Sequence, residues 1–219
     1  MLFRSNVVNL SACGVNDVFT GFTVSGGYAS SGTLRGGGIY SLGGSALIAH
    51  CQISGCYSSQ TGAGIYLRGG TPRVFDCLLS GNRAGGNGGG LWADSSDVDV
   101  QSCEFRGNDA SGAGGFGVAV AFGDASPAEI RAVNCIVSGN RGFFGSGGVQ
   151  ILSGNLSLVH CTITGNRCAG PSGGGVLVTR STLAVAIKNC IIWNNFAGGN
   201  QNLAPTSWAG TRLPPEPNI

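Results

Sequence analysis

Copies of one short string divide this chain into repeats. The string is Cys-x-x-x-Gly-Asn, with an apolar residue two positions after the cysteine. Four complete copies and two degenerate flanking copies begin at Cys51, Cys77, Cys103, Cys135, Cys161 and Cys190. Successive copies lie 26, 26, 32, 26 and 29 residues apart. A period of this length is typical of a solenoid, in which each repeat packs against its neighbours.

A second string, Gly-x-Gly followed by an aliphatic residue or a close variant, keeps the same period. Its aliphatic residues are Ile39, Ile65, Leu91, Val118, Val149 and Val176. In four of the six repeats, 12 residues separate the aliphatic residue from the next cysteine, and the largest excess, five residues, coincides with residues 123–127. That segment reads Gly-Asp-Ala-Ser-Pro, and we expect it to be an inserted turn that leaves the neighbouring strands in register.

Apolar and polar residues alternate around each cysteine. The positions five and three residues before it are mostly apolar, and so is the position two residues after it. The alternation and the many β-branched residues predict strands, and no segment has the 3.6-residue period of a long helix. The pattern predicts an all-β parallel β-helix of about 6–7 coils, each with about 26 residues and three short strands.

Composition supports a packed solenoid. Glycine accounts for 41 of the 219 residues, and most glycines belong to the two strings, where we expect bends. Hydrophobic residues make up 42% of the chain, which argues against disorder. The net charge of +2 predicts no nucleic-acid partner, and the absence of 18 consecutive apolar residues predicts no membrane span. The first ten residues are too polar for a signal peptide.

Stacking places equivalent residues in rows along the solenoid. The cysteine row has two interpretations, a metal-binding or disulfide column and a stack of buried free thiols. We favour free thiols, because side chains one strand spacing apart hold their Cβ atoms farther apart than the roughly 3.8 Å of a disulfide. No Cys-x-x-Cys pair or neighbouring histidine completes a zinc site.

The residue before each cysteine forms a second row, which an earlier degenerate copy with Phe22 in the cysteine position extends by one member. The row contains Gly21, His50, Asp76, Ser102, Asn134, His160 and Asn189. A catalytic role for the histidines is one interpretation. Asn, Asp, His and Gly are also the residues enriched at positive φ, so we expect bend residues. The asparagines of the Gly-Asn strings form a third row, which predicts a ladder of hydrogen-bonded amides.

Charged residues occur in two more rows. One contains Arg83, Asp109, Arg141 and Arg167, and the other contains Arg73, Asp99 and Arg131. Because opposite charges fall on adjacent coils in part of each row, we expect surface ion pairs, worth about 0.2–1 kcal/mol each.

The interlocked strings resemble the right-handed parallel β-helices of the pectate-lyase-like superfamily. They are most similar to the repeats of bacterial polymorphic outer-membrane proteins, whose signatures are G-G-A-[I/L/V] and F-x-x-N. Residues 105–108, Phe-Arg-Gly-Asn, fit the second signature, and the Gly triplets before Leu91 and Val176 approximate the first. The resemblance implies a right-handed solenoid, secreted or displayed on a bacterial surface as a passenger, stalk or adhesin.

We expect three parts in the chain. Residues 1–17 are an incomplete first coil or the remnant of a cap, residues 18–200 are the β-helix, and residues 201–219 are a non-repeat, Pro-containing tail. The end of this tail, residues 211–219, cannot continue the sheets. The ends of the β-helix suggest a piece of a longer protein, since uncapped coils expose apolar core and strand edges.

Polysaccharide lyases and hydrolases share this fold, so acidic residues are the candidates for catalysis. The best group is Asp94, Asp97 and Asp99, and the last two alternate with Val98 and Val100, which predicts that both face solvent. We interpret the group as a solvated turn and strand, and we predict no catalytic residue and no cofactor. Under the alternative of a lyase on an acidic polysaccharide, the group is a weak candidate for Ca²⁺.

Three aromatic residues, Tyr40, Tyr66 and Trp92, directly follow the aliphatic residue of the second string in successive repeats. One interpretation is an exposed strip that stacks on sugar rings or contacts a partner protein. The other, which we favour, is aromatic packing beneath a loop or the missing N-terminal region. We expect a non-catalytic structural or adhesive protein whose partners are polysaccharides or cell-surface proteins.

Overall fold

The computed structural model describes residues 7–30, 35–110, 120–122, 129–152, 154–178, 184–198 and 203–205. Within these ranges the chain forms short strands and no helix. The strands belong to four sheets, which we name sheets A, B, C and D in the order in which each coil contributes to them. Pairing is parallel and joins each strand to its equivalents in the adjacent coils. The predicted parallel β-helix is confirmed.

Sheet A contains β1 (Val8–Asn9), β5 (Ile39–Leu42), β9 (Ile65–Arg68), β13 (Leu91–Asp94), β17 (Val120–Phe122), β21 (Val149–Ile151), β25 (Val176–Val178) and β28 (Leu203–Pro205). Sheet B contains β2 (Val18–Thr20), β6 (Leu47–Ala49), β10 (Arg73–Phe75), β14 (Val98–Gln101), β18 (Glu129–Val133), β22 (Asn155–Val159) and β26 (Val185–Lys188). Sheet C contains β3 (Thr23–Ser25), β7 (Gln52–Ser54), β11 (Leu78–Ser80), β15 (Glu104–Arg106), β19 (Ile136–Ser138), β23 (Thr162–Thr164) and β27 (Ile191–Trp193). Sheet D contains β4 (Tyr28–Ala29), β8 (Tyr57–Ser58), β12 (Arg83–Ala84), β16 (Asp109–Ala110), β20 (Arg141–Gly142) and β24 (Arg167–Cys168).

Full coils hold four strands where the sequence pattern predicts three. The additional strand belongs to sheet D and directly follows the Gly-Asn string, as in β12. Sheet D strands are only two residues long, and two residues are too few to show an alternation of apolar and polar side chains. The sequence pattern therefore cannot distinguish this strand from the bend that precedes it.

Sheet A also differs from the predicted register in one coil. Strand β17 places Val120 opposite Leu91 and Val149, so Val120 takes the position predicted for Val118. A slip of two residues preserves the alternation of strand faces, which is why the pattern could not separate the two valines. Val118 and the inserted segment 123–127 lie outside the described residues. Beyond that segment, β18 pairs with β14 in the expected register.

A coil turns twice through a single residue with positive φ. The turn from sheet B to sheet C, the B–C corner, uses the residue before the cysteine. This confirms the predicted bend row, with φ of 79° at Gly21 and 48–55° at His50, Asp76, Ser102, Asn134, His160 and Asn189. The turn from sheet C to sheet D, the C–D corner, has φ of 59–65° at Gly26, Gly55, Gly81, Gly107, Gly139 and Gly165, and 54° at Asn194.

The buried residue of the B–C corner is the row cysteine. All nine cysteines lie in described residues and all are free thiols. In the row, Cys51, Cys77, Cys103, Cys135 and Cys161 are buried, as the free-thiol interpretation predicts, and Cys190 is partly buried. The Cys103 thiol donates to the carbonyls of Gln101 (3.2 Å) and Val74 (3.5 Å), the second of which belongs to the preceding coil. Burial raises the pKa of the Cys51 and Cys56 thiols. The row lines the continuous apolar core.

The buried residue of the C–D corner is asparagine, and the predicted amide ladder is confirmed. Asn108 Nδ2 donates to the Leu79 carbonyl of the preceding coil (2.9 Å) and to Oδ1 of Asn140 in the next coil (3.0 Å). Its own Oδ1 accepts hydrogen bonds from the Asn82 backbone N–H (3.1 Å) and Nδ2 (3.0 Å). The ladder continues to Asn195, so each amide ties together three coils.

Parallel pairing reaches both sides of the segment 18–200. Strand β1 pairs with β5, and β28 pairs with β25. The boundaries at residues 17 and 200 stay predictions, and residues 206–219 of the expected tail lie outside the described part of the chain.

Candidate functional site

Sheet A brings the three predicted aromatic residues together. Tyr40, Tyr66 and Trp92 are opposite one another in β5, β9 and β13, and the rings of Tyr40 and Tyr66 stack with centroids 5.6 Å apart. The interpretation as an exposed strip is wrong for two of them, because Tyr66 is 1% and Trp92 5% exposed, which agrees with the packing interpretation. Tyr66 and Trp92 form a small apolar cluster, and Tyr40 packs against it and is partly buried. The predicted ligand-binding role of the three residues stays a prediction.

The Gly-rich segments before the strands explain this burial. A Cβ atom added at Gly62 would lie 2.8 Å from Tyr66 Cβ, and one added at Gly88 would lie 2.8 Å from Trp92 Cβ. Arg35 also contacts Tyr66, with Nη1 donating to the phenol oxygen (2.8 Å) and Cζ 5.3 Å from the ring centroid. Burial, together with the nearby Asp94 charge, raises the pKa of Tyr66 to about 12. The backbone therefore packs closely over the strip.

The three acidic candidates lie at the end of sheet A and on sheet B. Asp97 and Asp99 alternate with buried Val98 and Val100 and point outward, as predicted. The structure does not bring the three together as a metal site, since no group of three His, Cys, Asp or Glu side chains among the described residues could hold a metal ion.

Contacts between coils occupy these three carboxylates. Asp94 Oδ2 accepts from the Tyr66 hydroxyl (3.1 Å) and is 3.7 Å from Arg68 Nε. The Asp97 carboxylate accepts from the Glu129 N–H (2.8 Å), and Asp99 Oδ1 is 3.2 Å from Arg131 Nη1. The ion pair expected between Asp99 and Arg131 is therefore confirmed.

The B–C corner contains one contact between ionisable side chains that we did not predict from the sequence. Nδ1 of His50 lies 2.8 Å from Oδ2 of Asp76, and both side chains are more than half exposed. The two residues are equivalents in adjacent coils, so the 26-residue spacing could have predicted their contact. With Ser102 and Glu104 they line a shallow groove beside the corner.

Sheet D carries a longer outward row, which we name the D stripe. Its members, one from each of seven coils, are Tyr28, Tyr57, Arg83, Asp109, Arg141, Arg167 and Phe196. The strand residue after each of the first six is buried, so these side chains point away from the core. The rings of Tyr28 and Tyr57 stack 4.9 Å apart, and Arg167 Cζ lies 5.5 Å from the Phe196 centroid.

The arginines of the D stripe do not form the expected ion pairs with described residues. Arg83, Arg141 and Arg167 are exposed, and within the described ranges no carboxylate lies within 4.0 Å of their guanidinium nitrogens. Asp109 is opposite Arg83 and Arg141 in backbone register, but its carboxylate is not within that distance of either. In contrast, Arg131 lies within this distance of Asp99.

The glycines of the C–D corner lie beside the D stripe. At Gly26, Gly55, Gly81, Gly107 and Gly139, an added Cβ would meet no atom within 4 Å. Across this open strip, the last residue of the sheet C strands is Ser25, Ser54, Ser80, Arg106, Ser138, Thr164 and Trp193. The corner is therefore an open strip of backbone, which we name the floor, between a row rich in hydroxyl groups and the D stripe.

Among the residues that the structure describes, there is no helix with the length and apolar character needed to span a membrane. Comparison with curated proteins and with solved structures found no match. The resemblance to polymorphic outer-membrane protein repeats stays a prediction. The sequence matches the family described as "Right handed beta helix region" over residues 3–157, which is more than half of its length. Together with the parallel four-sheet coil, this match shows that the chain belongs to the right-handed β-helix family.

Proposed function

We propose that this chain is a non-catalytic structural or adhesive β-helix that acts outside the cell, secreted or displayed on a bacterial surface. The proposed location rests on the resemblance to polymorphic outer-membrane protein repeats. The alternative is a polysaccharide lyase or glycoside hydrolase that acts on an acidic polysaccharide.

One observation carries the non-catalytic proposal. Each of Asp94, Asp97 and Asp99, the acidic residues best grouped for catalysis, contacts a residue of an adjacent coil. A lyase requires carboxylates that are free to hold Ca²⁺, which takes 6–8 oxygen ligands, and a glycosidase requires two carboxyl groups that face each other across the substrate. Carboxylates that bind a backbone N–H, a hydroxyl and a guanidinium of the protein itself favour a structural use.

An adhesive role also requires an exposed surface. Because Tyr66 and Trp92 are buried, the aromatic residues of sheet A do not provide that surface. A rigid rod suits such a role. Amide and thiol rows that bind each coil to the next favour stiffness, because bending the rod would stretch hydrogen bonds in every coil.

An activity assay separates the proposal from its alternative. The purified chain is incubated with polygalacturonate, with added Ca²⁺ and with a chelator, and unsaturated products and new reducing ends are measured. We expect neither product. Turnover that disappears in Asp97→Ala and persists in the matched control Asp76→Asn would overturn the proposal.

A further inference from the structure

We infer that the D stripe and the open C–D corner together bind an acidic polysaccharide that lies along the solenoid axis. This inference rests on the adhesive role proposed above and names the ligand of that role. The surface is distinct from the acidic candidates of sheets A and B and from the aromatic cluster of sheet A.

The first step of the argument is charge. The D stripe carries three arginines and one aspartate, a surplus of two positive charges that equals the net charge of the whole chain. Arg83, Arg141 and Arg167 are exposed, and no carboxylate of the described residues lies within 4.0 Å of them. Guanidinium groups in this state are available for bidentate hydrogen bonds to carboxylate or sulfate groups.

The second step is spacing. Adjacent coils are about 4.8 Å apart, so Arg83 and Arg167, three coils apart, are separated by about 14 Å along the axis. The whole stripe, from Tyr28 to Phe196, spans six such intervals, about 29 Å. Three arginines within about 14 Å along one line, with Asp109 between the first two, fit a linear polymer that places several anionic groups along the axis.

The third step is shape. The corner glycines leave open space between the D stripe and the outer row of sheet C, so a ligand can approach the backbone there. The hydroxyl groups of Ser54, Ser80, Ser138 and Thr164 border this floor and can donate to or accept from sugar hydroxyls.

The fourth step is the aromatic residues at both ends. Tyr28 and Tyr57 form a stacked pair at one end of the stripe, and Phe196, 54% exposed, lies at the other beside Arg167. Aromatic faces pack against the apolar faces of sugar rings. Arginines, hydroxyl groups and terminal rings on one face together favour an acidic polysaccharide. A polynucleotide is held mainly through its phosphates and would need more positive charge than the stripe supplies, whereas a polysaccharide can also use the hydroxyl groups and aromatic rings.

The test measures binding to polygalacturonate and to heparin, which carry carboxylate and sulfate groups, with fully methyl-esterified polygalacturonate as the uncharged control. We expect the wild type to bind at least one charged polymer, more weakly as salt is raised, and not to bind the ester. Replacing both Arg83 and Arg141 by Gln should lower the affinity about tenfold or more. The matched control, Arg73→Gln with Arg131→Gln, makes the same charge change on sheet B and should bind as the wild type does.

Three results would overturn the inference: no binding of the wild type to either charged polymer, equal loss in the sheet B control, or duplex DNA bound as tightly as the polysaccharides at the same salt. The proposed function fails on a different result, the release of products from polygalacturonate. If the protein neither binds nor cleaves these polymers, the inferred ligand is wrong and the proposed structural role still stands.

Discussion

The two corners of each coil have nearly the same backbone conformation and very different side chains. At the B–C corner, φ near 50° is occupied by His, Asp, Ser and Asn, whereas at the C–D corner φ near 60° is occupied by glycine in six coils and by Asn194 in the last. An added Cβ at most of these glycines would meet nothing, so crowding does not demand glycine there. The positive φ favours glycine but also admits asparagine, as Asn194 shows. The bare C–D corner is therefore a surface property, which fits a floor for a ligand.

The corners also differ in the residue buried after the turn, and this difference gives the largest expected effect. Asn108→Ala removes four hydrogen bonds and takes this partner from the buried Asn82 N–H and Leu79 carbonyl of the preceding coil. We therefore expect a loss of about 3 kcal/mol or more in the free energy of unfolding. Cys103→Ala at the B–C corner leaves a small cavity and should cost about 1 kcal/mol. Denaturant unfolding of both variants checks the order, and equal losses would contradict it.

A second variant tests whether φ is the limit at the C–D corner. Gly139→Val places a β-branched side chain at φ of 62°, and we expect a loss of about 1–3 kcal/mol from backbone strain alone. Gly139→Asn adds a side chain of similar size that tolerates this conformation. Thermal unfolding of the pair should show a clear difference, and similar losses would mean that contacts limit the corner instead.

The third variant extends the amide ladder by one coil. Cys56 occupies the asparagine position at the C–D corner, where its backbone N–H donates to Asn82 Oδ1 (3.0 Å). Gly38 lies against Cys56 in the same way that Gly64 lies against Asn82, so the space suits an amide. We expect Cys56→Asn to raise the free energy of unfolding by about 0.5–1.5 kcal/mol, measured in denaturant. A decrease in the free energy of unfolding would show that the packing around residue 56 does not accommodate an amide and that the ladder ends at Asn82 for this reason.

The smallest expected effect is at the exposed side of the B–C corner. Asp76→Asn keeps a residue that tolerates φ of 48° and removes the ion pair with His50. Both side chains are more than half exposed, so we expect a change below about 1 kcal/mol that shrinks further at high salt. A larger loss, seen by thermal unfolding at two salt concentrations, would make this pair a structural part of the corner.

The rows were predictable wherever residue type alone determines geometry. His50, Asp76 and Asn134 belong to a short set of residues that adopt positive φ, and the asparagine row of the Gly-Asn strings has the chemistry of an amide ladder. The free-thiol state of the cysteine row was predictable because stacking holds the Cβ atoms farther apart than a disulfide allows. In each case the residue type indicates the geometry within one coil, and the period extends that geometry to the other coils.

Contacts between different parts of the coil were not predictable. The burial of Tyr66 depends on Gly62 and on Arg35 from the coil before it. Gly62 belongs to the string that precedes Ile65, but the string does not show that this glycine packs against Tyr66, and Arg35 lies outside the strings. The D stripe was only partly visible, because Tyr28 lies in a coil without a row cysteine and Phe196 follows a degenerate copy. Its arginines carried a charge pattern that predicts ion pairs, yet side-chain distances decide whether such pairs form.

The most direct test of the difference between the corners measures stability and polysaccharide affinity in the same variant. Gly139→Asn places a side chain on the floor between Ser138 and Arg141, and Ser102→Asn places the same side chain at the B–C corner as the control. We predict that both unfold within about 0.5 kcal/mol of the wild type, and that only Gly139→Asn loses affinity for the charged polymer that the wild type binds, by about fivefold or more. A Gly139→Asn protein that is clearly destabilised, or that binds as well as the wild type, would contradict the account.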